Sequence, residues 1–359
     1  MDLKQIRDRI AACLYGGAMG DALGYVVEFH SWGRIQAVHG PEGIRELEPE
    51  DGEAIVSDDT QMTLFTAEGI CLGCFRSLET GTEPDPTDDI YQAYLCWLDT
   101  QGTPVSSRWS KDSVLRTDLR LRKLRAPGNT CLSALRSGKM GTLEWAINHS
   151  KGCGGVMRTA PLGFLRSHQT GESILGAPLL RGAEAAAITH GHPMGWVPAG
   201  MLSDMVDRCL YGEYPSLREL IEDSLKETVS FFADVPGIGD FEELMRSAIR
   251  LAERPADGPR EIASVDEPAI RSLGGGWVGD EALAIAVYAA LRYPGDLKAC
   301  LRAAVNHGGD SDSTGAIAGN ILGAWLGMAG IPEDWHTRIE LADRIEVLSD
   351  RMQQLLERC

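Results

Sequence analysis

Two ladders of glycine, one near each end of the chain, constrain this sequence more than any other feature. Gly16, Gly20 and Gly24 form the first, and Gly315, Gly319, Gly323 and Gly327 form the second. A four-residue step keeps positions on one face of an α-helix, and each glycine there costs about 1 kcal/mol relative to alanine. Such a cost makes sense where another backbone must come close. The N- and C-terminal helices are therefore expected to pack closely together.

Most of the remaining sequence carries helical periodicity. Apolar residues recur at helical spacing over 4–27, 60–79, 88–100, 130–137, 181–189, 197–211, 216–233, 240–253, 280–292, 296–306 and 337–357. Strand-like alternation is weak and confined to about 43–56, so a parallel α/β sheet is not expected. Loops rich in Gly, Pro, Ser or Asp fall at 80–87, 101–113, 125–129, 148–155, 167–178, 254–279 and 328–335. None reads as a domain linker, and there is no repeat of fixed period. One compact all-α domain spanning 1–359 is the simplest expectation.

A net charge of −18 argues against a nucleic-acid-binding surface, which would show a basic stripe. The nine cysteines are scattered, as in a reduced, cytoplasmic protein rather than a disulfide framework. Cys71 and Cys74 form a lone CxxC among apolar neighbours and are expected at buried helix positions. The charged start, Met1-Asp-Leu-Lys, reads as a helix and not as a secretory leader. The uncharged stretch 313–332 has the length of a membrane span, but it holds five glycines and Asn320 and adjoins Asp310 and Asp312. A buried helix is expected there, and no membrane association.

The chemistry concentrates in a few short segments. Gly309-Asp-Ser-Asp-Ser-Thr314 places Asp310, Asp312, Ser313 and Thr314 within five residues, and Ser57-Asp-Asp-Thr60 offers a matching set. Hard oxygen donors this dense suit Mg²⁺, Mn²⁺ or Ca²⁺ better than zinc. Alone, Ser57 with two acids after it reads as a helix N-cap. Paired with the second motif, it reads as half of a two-metal site. Asp21 and Glu28, seven residues apart, are expected on one helix face. The turn Ser150-Lys-Gly-Cys-Gly-Gly155 is expected to enter a helix and to present N–H groups to phosphate. His190 and His192 read as capping, hydrogen-bonding or ligand-stacking residues, because a third metal ligand is missing beside them.

Taken in order, GDxxGxxxE at 20–28, SDDT at 57–60, GxGxxMR at 152–158 and GGDxDS at 308–313 resemble the ADP-ribosylglycohydrolase family over nearly the whole chain. The combination is specific, although each piece alone is not. The resemblance implies an all-α orthogonal bundle with two Mg²⁺ or Mn²⁺ ions in a cleft. It implies hydrolysis of the bond between ADP-ribose and a modified protein side chain, with ADP-ribose as product. Metal ligands are then expected at Ser57, Asp58, Asp59, Asp310, Asp312 and Ser313, with Asp312 bridging. Glu28, Asp58 and Asp312 are the expected catalytic carboxylates. Substrate contacts are expected from Gly128, Asn129, Thr130, Ser150, Lys151, Gly152, Gly154, His190 and Trp277. Serine at 57 and 313 replaces the commoner threonine, and Cys153 stands where several relatives carry Asn. Arginine is the first expectation for the acceptor. Serine-linked, nucleic-acid-linked or small-molecule ADP-ribose, an immunity protein that counteracts a transferase toxin, and a retained scaffold are the competing readings.

Overall fold

The computed structural model describes residues 2–166, 171–253 and 262–358. Fifteen α-helices occupy the described residues: α1 Leu3–Tyr25, α2 Trp32–His39, α3 Asp58–Thr80, α4 Pro86–Thr100, α5 Asn129–Arg136, α6 Pro178–Ala187, α7 Pro193–Tyr211, α8 Leu217–Phe231, α9 Ile238–Ala252, α10 Ile262–Leu273, α11 Gly279–Arg292, α12 Leu297–Val305, α13 Ser311–Leu326, α14 Glu333–His336 and α15 Ala342–Leu356. The architecture is all-α, as the periodicity predicts.

The glycine ladders meet. A Cβ placed on Gly16 would lie 2.3 Å from the Gly319 carbonyl oxygen, and one on Gly319 would lie 1.9 Å from that of Gly16. Gly20 faces Gly315, Gly24 faces Ser311, and Gly323 faces Ala12 in the same manner. α1 and α13 therefore touch backbone to backbone, and any side chain on these rungs would push them apart. From Ser311 to Ala324, every residue of α13 is buried, which marks it as a core helix. α12 and α11 also pack on α13, and α15 packs on α1 and α3. No helix among the described residues is long and apolar enough to cross a membrane. Cys71 and Cys74 are buried positions of α3, as expected.

Three local expectations are corrected. Residues 43–56 form no strand. Ile44 exchanges its backbone hydrogen bonds with the Asn306 side-chain amide, both at 2.8 Å, and only isolated bridges, Glu50 to Glu53 and Ala54 to Ile339, occur there. Part of the expected 254–279 loop is the helix α10, which contains Pro268; residues 254–261 lie outside the described residues. The turn at 150–155 itself ends in a short 3₁₀ segment, Cys153–Gly155, and a second one, Ala160–Gly163, follows it in place of the expected α-helix.

Candidate active site

The packing of α1 on α13 brings distant acidic segments to one place. Ser57 caps α3, its Oγ accepting from the Asp59 N–H at 3.2 Å, and Asp58 and Asp59 fill the first turn. Asp310 caps α13, and Asp312 follows in its first turn. Carboxylates at helix N-termini face the positive end of the helix dipole, which offsets part of their repulsion. Glu28 arrives from the other side. α1 ends at Tyr25, so Glu28 sits in the turn beyond the helix and not on the face of Asp21.

A cleft of about 520 Å³ receives Glu28, Asp58, Asp59, Asp310, Asp312 and Ser313. One ligand atom from each of Glu28, Asp310 and Asp312 lies within 4.8 Å of the others. Burial, then the charge of Asp312, lifts Glu28 to about 10 and holds Asp58, Asp59 and Asp310 well above the ordinary carboxylate range. Among the described residues, none of these carboxylates pairs with a cationic side chain. Glu28 Oε2 and Asp59 Oδ1 are buried with no hydrogen-bond partner. Crowded, unpaired hard oxygens of this kind fit a divalent cation, which would supply the missing positive charge. The Cys153 thiol closes one side, its Sγ 2.6 Å from Asp310 Oδ2.

Loops complete the walls. Gly128 donates its N–H to Asp58 Oδ2 at 3.2 Å, which ties the turn 126–130 to the acidic cluster. The Thr130 and Ser150 hydroxyls meet at 3.0 Å and join that turn to the next loop. Asp310 donates its N–H to the Gly275 carbonyl at 2.8 Å, and Glu281 Oε2 accepts from the N–H groups of Gly275 and Gly276. At the rim, Phe29 stacks on Trp277 with ring centres 5.6 Å apart; they are 70% and 44% exposed. Phe29 and Ala126, both in the cleft wall, adopt positive φ of 63° and 50° without being glycine. Such backbone strain clusters at functional sites.

The likeness to known proteins spans nearly the whole chain. The family model described as ADP-ribosylglycohydrolase matches residues 2–359. The chain belongs to the ADP-ribosylglycohydrolase family. It is 25% identical to the ADP-ribosyl-[dinitrogen reductase] glycohydrolase of Rhodospirillum rubrum over 95% of this chain and 94% of that protein. It is 24% identical to the ADP-ribosylhydrolase ARH3 of Homo sapiens over 98% and 94%. A solved structure described as an ADP-ribosylglycohydrolase-related protein complex superposes with a TM-score of 0.63 at 24% identity, covering 98% of this chain and 99% of that one. The all-α bundle is thus that of the ADP-ribosylglycohydrolases, and family and relatives support ADP-ribosyl hydrolase activity.

Within this ADP-ribosylglycohydrolase fold, Gly128, Asn129, Thr130, Gly152, Gly154, His190 and Trp277 share the cleft with the carboxylates. Ser57, Ser150 and Lys151 do not line it. Ser57 is buried behind Asp58 and Asp59 as the helix cap, Ser150 braces the loop from behind, and the Lys151 carbonyl accepts from the Gly279 N–H. The N–H of Gly152 is taken by Ser150 Oγ, and that of Cys153 by the Trp277 carbonyl. The expected row of free donors is thereby shortened, and no long helix stands behind it. His192 caps α7 through Nδ1, consistent with a capping role. Phe29 and Cys131 also line the cleft, although no motif residue was expected at either position. Each adjoins a motif residue, and that adjacency was the available signal.

Proposed function

We propose that this chain removes ADP-ribose from arginine side chains of modified proteins, using divalent cations held by Asp58, Asp59, Asp310, Asp312 and Ser313, with Ser57 supporting the first acidic turn. The observation that carries the arginine reading is the exposed Phe29–Trp277 stack at the rim of a cleft lined by five carboxylates. A guanidinium is planar, cationic and weakly hydrated, and it stacks well on aromatic faces. A serine-linked acceptor offers that stack no planar cation.

When bound, the cations would neutralise the cluster, receive the anionic substrate and polarise the ribose hydroxyls. The protein's own groups would do the rest. With cations bound in place of its proton, Glu28, reaching in from its turn, would take at Oε2 the proton of the water attacking the anomeric carbon. Returning that proton to the departing guanidino nitrogen balances the reaction, so that arginine leaves charged. Phe29 and Trp277 frame the mouth of the cleft, Met157 lines its interior, and the 126–130 turn, fixed to Asp58, would orient the sugar.

The test is release of ADP-ribose from defined ADP-ribosyl-arginine and ADP-ribosyl-serine peptides, with Mg²⁺, with Mn²⁺ and with chelator. Release from the arginine peptide with either metal, abolished by chelator, is expected. Release from the serine peptide alone would overturn the arginine reading. Release that persists in chelator would overturn the metal.

A further inference from the structure

Arg158, the last residue of the GxGxxMR segment, is fully buried. Its guanidinium donates to Thr189 Oγ1 at 2.7 Å, to the Ala185 carbonyl at 3.3 Å, to Cys131 Sγ at 3.3 Å and to Met62 Sδ at 3.6 Å. It also lies 4.4 Å from the centre of the Tyr94 ring. None of these partners is a carboxylate. A buried cation without a counter-ion is costly, so a purely structural arginine here would be a poor choice beside a hydrophobic residue of similar size.

The hydrogen-bond directions give it a task. Arginine only donates, so Thr189 Oγ1 accepts from it, and the threonine proton is free to go elsewhere. His190 Nδ1 stands 2.8 Å from that oxygen. A hydroxyl that donates to Nδ1 leaves the ring proton on Nε2. The Nε2 edge faces the cleft wall, 3.4 Å from the positions that a Cβ would take on Gly152 and on Gly154.

We propose that Arg158 and Thr189 are positioning residues that lock His190 as its Nε2–H tautomer, a neutral donor held against the 152–154 turn to bind the pyrophosphate of an ADP-ribosyl ligand. The ligand part rests on the function proposed above; the tautomer does not. Burial, and then the charge of Arg158, depress His190 to about 3, which keeps the ring a single-proton donor at neutral pH. The cleft is acidic, so a fixed neutral donor can hold phosphate without adding another titrating group to the carboxylate cluster.

Two measurements test this. Nitrogen-15 NMR of the histidine rings, with His190 assigned by its loss in His190→Gln, should show the Nε2–H tautomer in the wild type. Thr189→Ser should keep it, whereas Thr189→Val and Arg158→Met should populate the other tautomer. Calorimetry should show ADP-ribose affinity falling about tenfold in Thr189→Val, the loss of one well-aimed donor to an anion, and staying unchanged in Thr189→Ser. If Arg158→Met does not fold, the two Thr189 variants decide. An Nδ1–H tautomer in the wild type overturns the relay. A shifted tautomer with unchanged affinity overturns the pyrophosphate role. Wild type that does not bind ADP-ribose at all sinks the functional reading instead, and the NMR still judges the relay.

Discussion

Asp21 stands outside the cleft but sets the geometry of its first acidic motif. Both of its carboxylate oxygens accept from the Ser57 N–H, at 2.9 and 3.0 Å, and Oδ2 also accepts from the Thr60 N–H at 3.0 Å and from the Thr60 hydroxyl. It thus anchors the cap of α3 from the interior of α1. Asp21→Asn retains one acceptor oxygen and turns an amide toward a donor. It should cost about 1–3 kcal/mol of stability and weaken Mg²⁺ binding, although Asp21 is no expected ligand. Thermal melts and a Mg²⁺ titration check this; a variant matching wild type in both would show that α3 needs no anchor. At this scale the sequence was half legible. Ser57, Asp58, Asp59, Asp310 and Asp312 were readable because their chemistry is local. The separate tasks of Asp21 and Glu28 were not, because the seven-residue spacing assumes a helix that runs on, and α1 stops at Tyr25. Arg158 and Thr189 were hidden for a related reason: their partnership spans thirty-one positions and is made only by the fold.

The pairing of α1 and α13 is the element on which the cluster depends, since one helix leads to Glu28 and the other begins at Asp310. Its ladder was legible because glycine every four residues is costly in a helix unless a neighbour requires it. Helix α10 was not legible. Pro268 and its polar flanks read as loop, while Asp266 anchors it by accepting from the hydroxyls of Tyr288 at 2.5 Å and Tyr293 at 2.7 Å. Those tertiary contacts overrode propensity. The ladder yields a prediction whose sign separates two effects. In an isolated helix Gly319→Ala would stabilise by about 1 kcal/mol. Here the new methyl meets the Gly16 carbonyl at 1.9 Å, and overpacking of this kind costs about 1–3 kcal/mol or more. Urea unfolding should therefore show a net loss. A gain would mean that the two backbones are not in contact in solution.

Across the whole molecule, the buried acids Asp21, Asp58, Asp59, Asp310 and Asp312 and the half-buried Glu28 gather in one region of a chain with a net charge of −18. The sequence pointed to the meeting of these segments through its matched motifs, but it could not show the electrostatic cost of burying them together. That cost makes stability depend on pH in a definite direction. Burial, reinforced by Asp312, raises Asp21 from 3.8 to about 7 and Glu28 from 4.5 to about 10 in the folded state. Folded acids of this kind keep protons that the unfolded chain has already released. Their stabilising contribution is complete below the unfolded values near 4 and is lost as pH rises toward 7 for Asp21 and 10 for Glu28. Without metal, the protein should therefore melt at lower temperature as pH rises through that window. Divalent cations compete with the same protons and bind only the folded cluster, adding about 2.7 kcal/mol when present at about a hundred times their dissociation constant. The rise in melting temperature from chelator to Mg²⁺ should accordingly be small near about pH 5.5 and larger near about pH 8. Taking the difference between the two conditions at each pH cancels surface groups that never meet the ion, so the trend reports the cluster itself. A Mg²⁺ shift that is constant with pH, or larger on the acid side, would mean that the buried carboxylates are not where the ion binds.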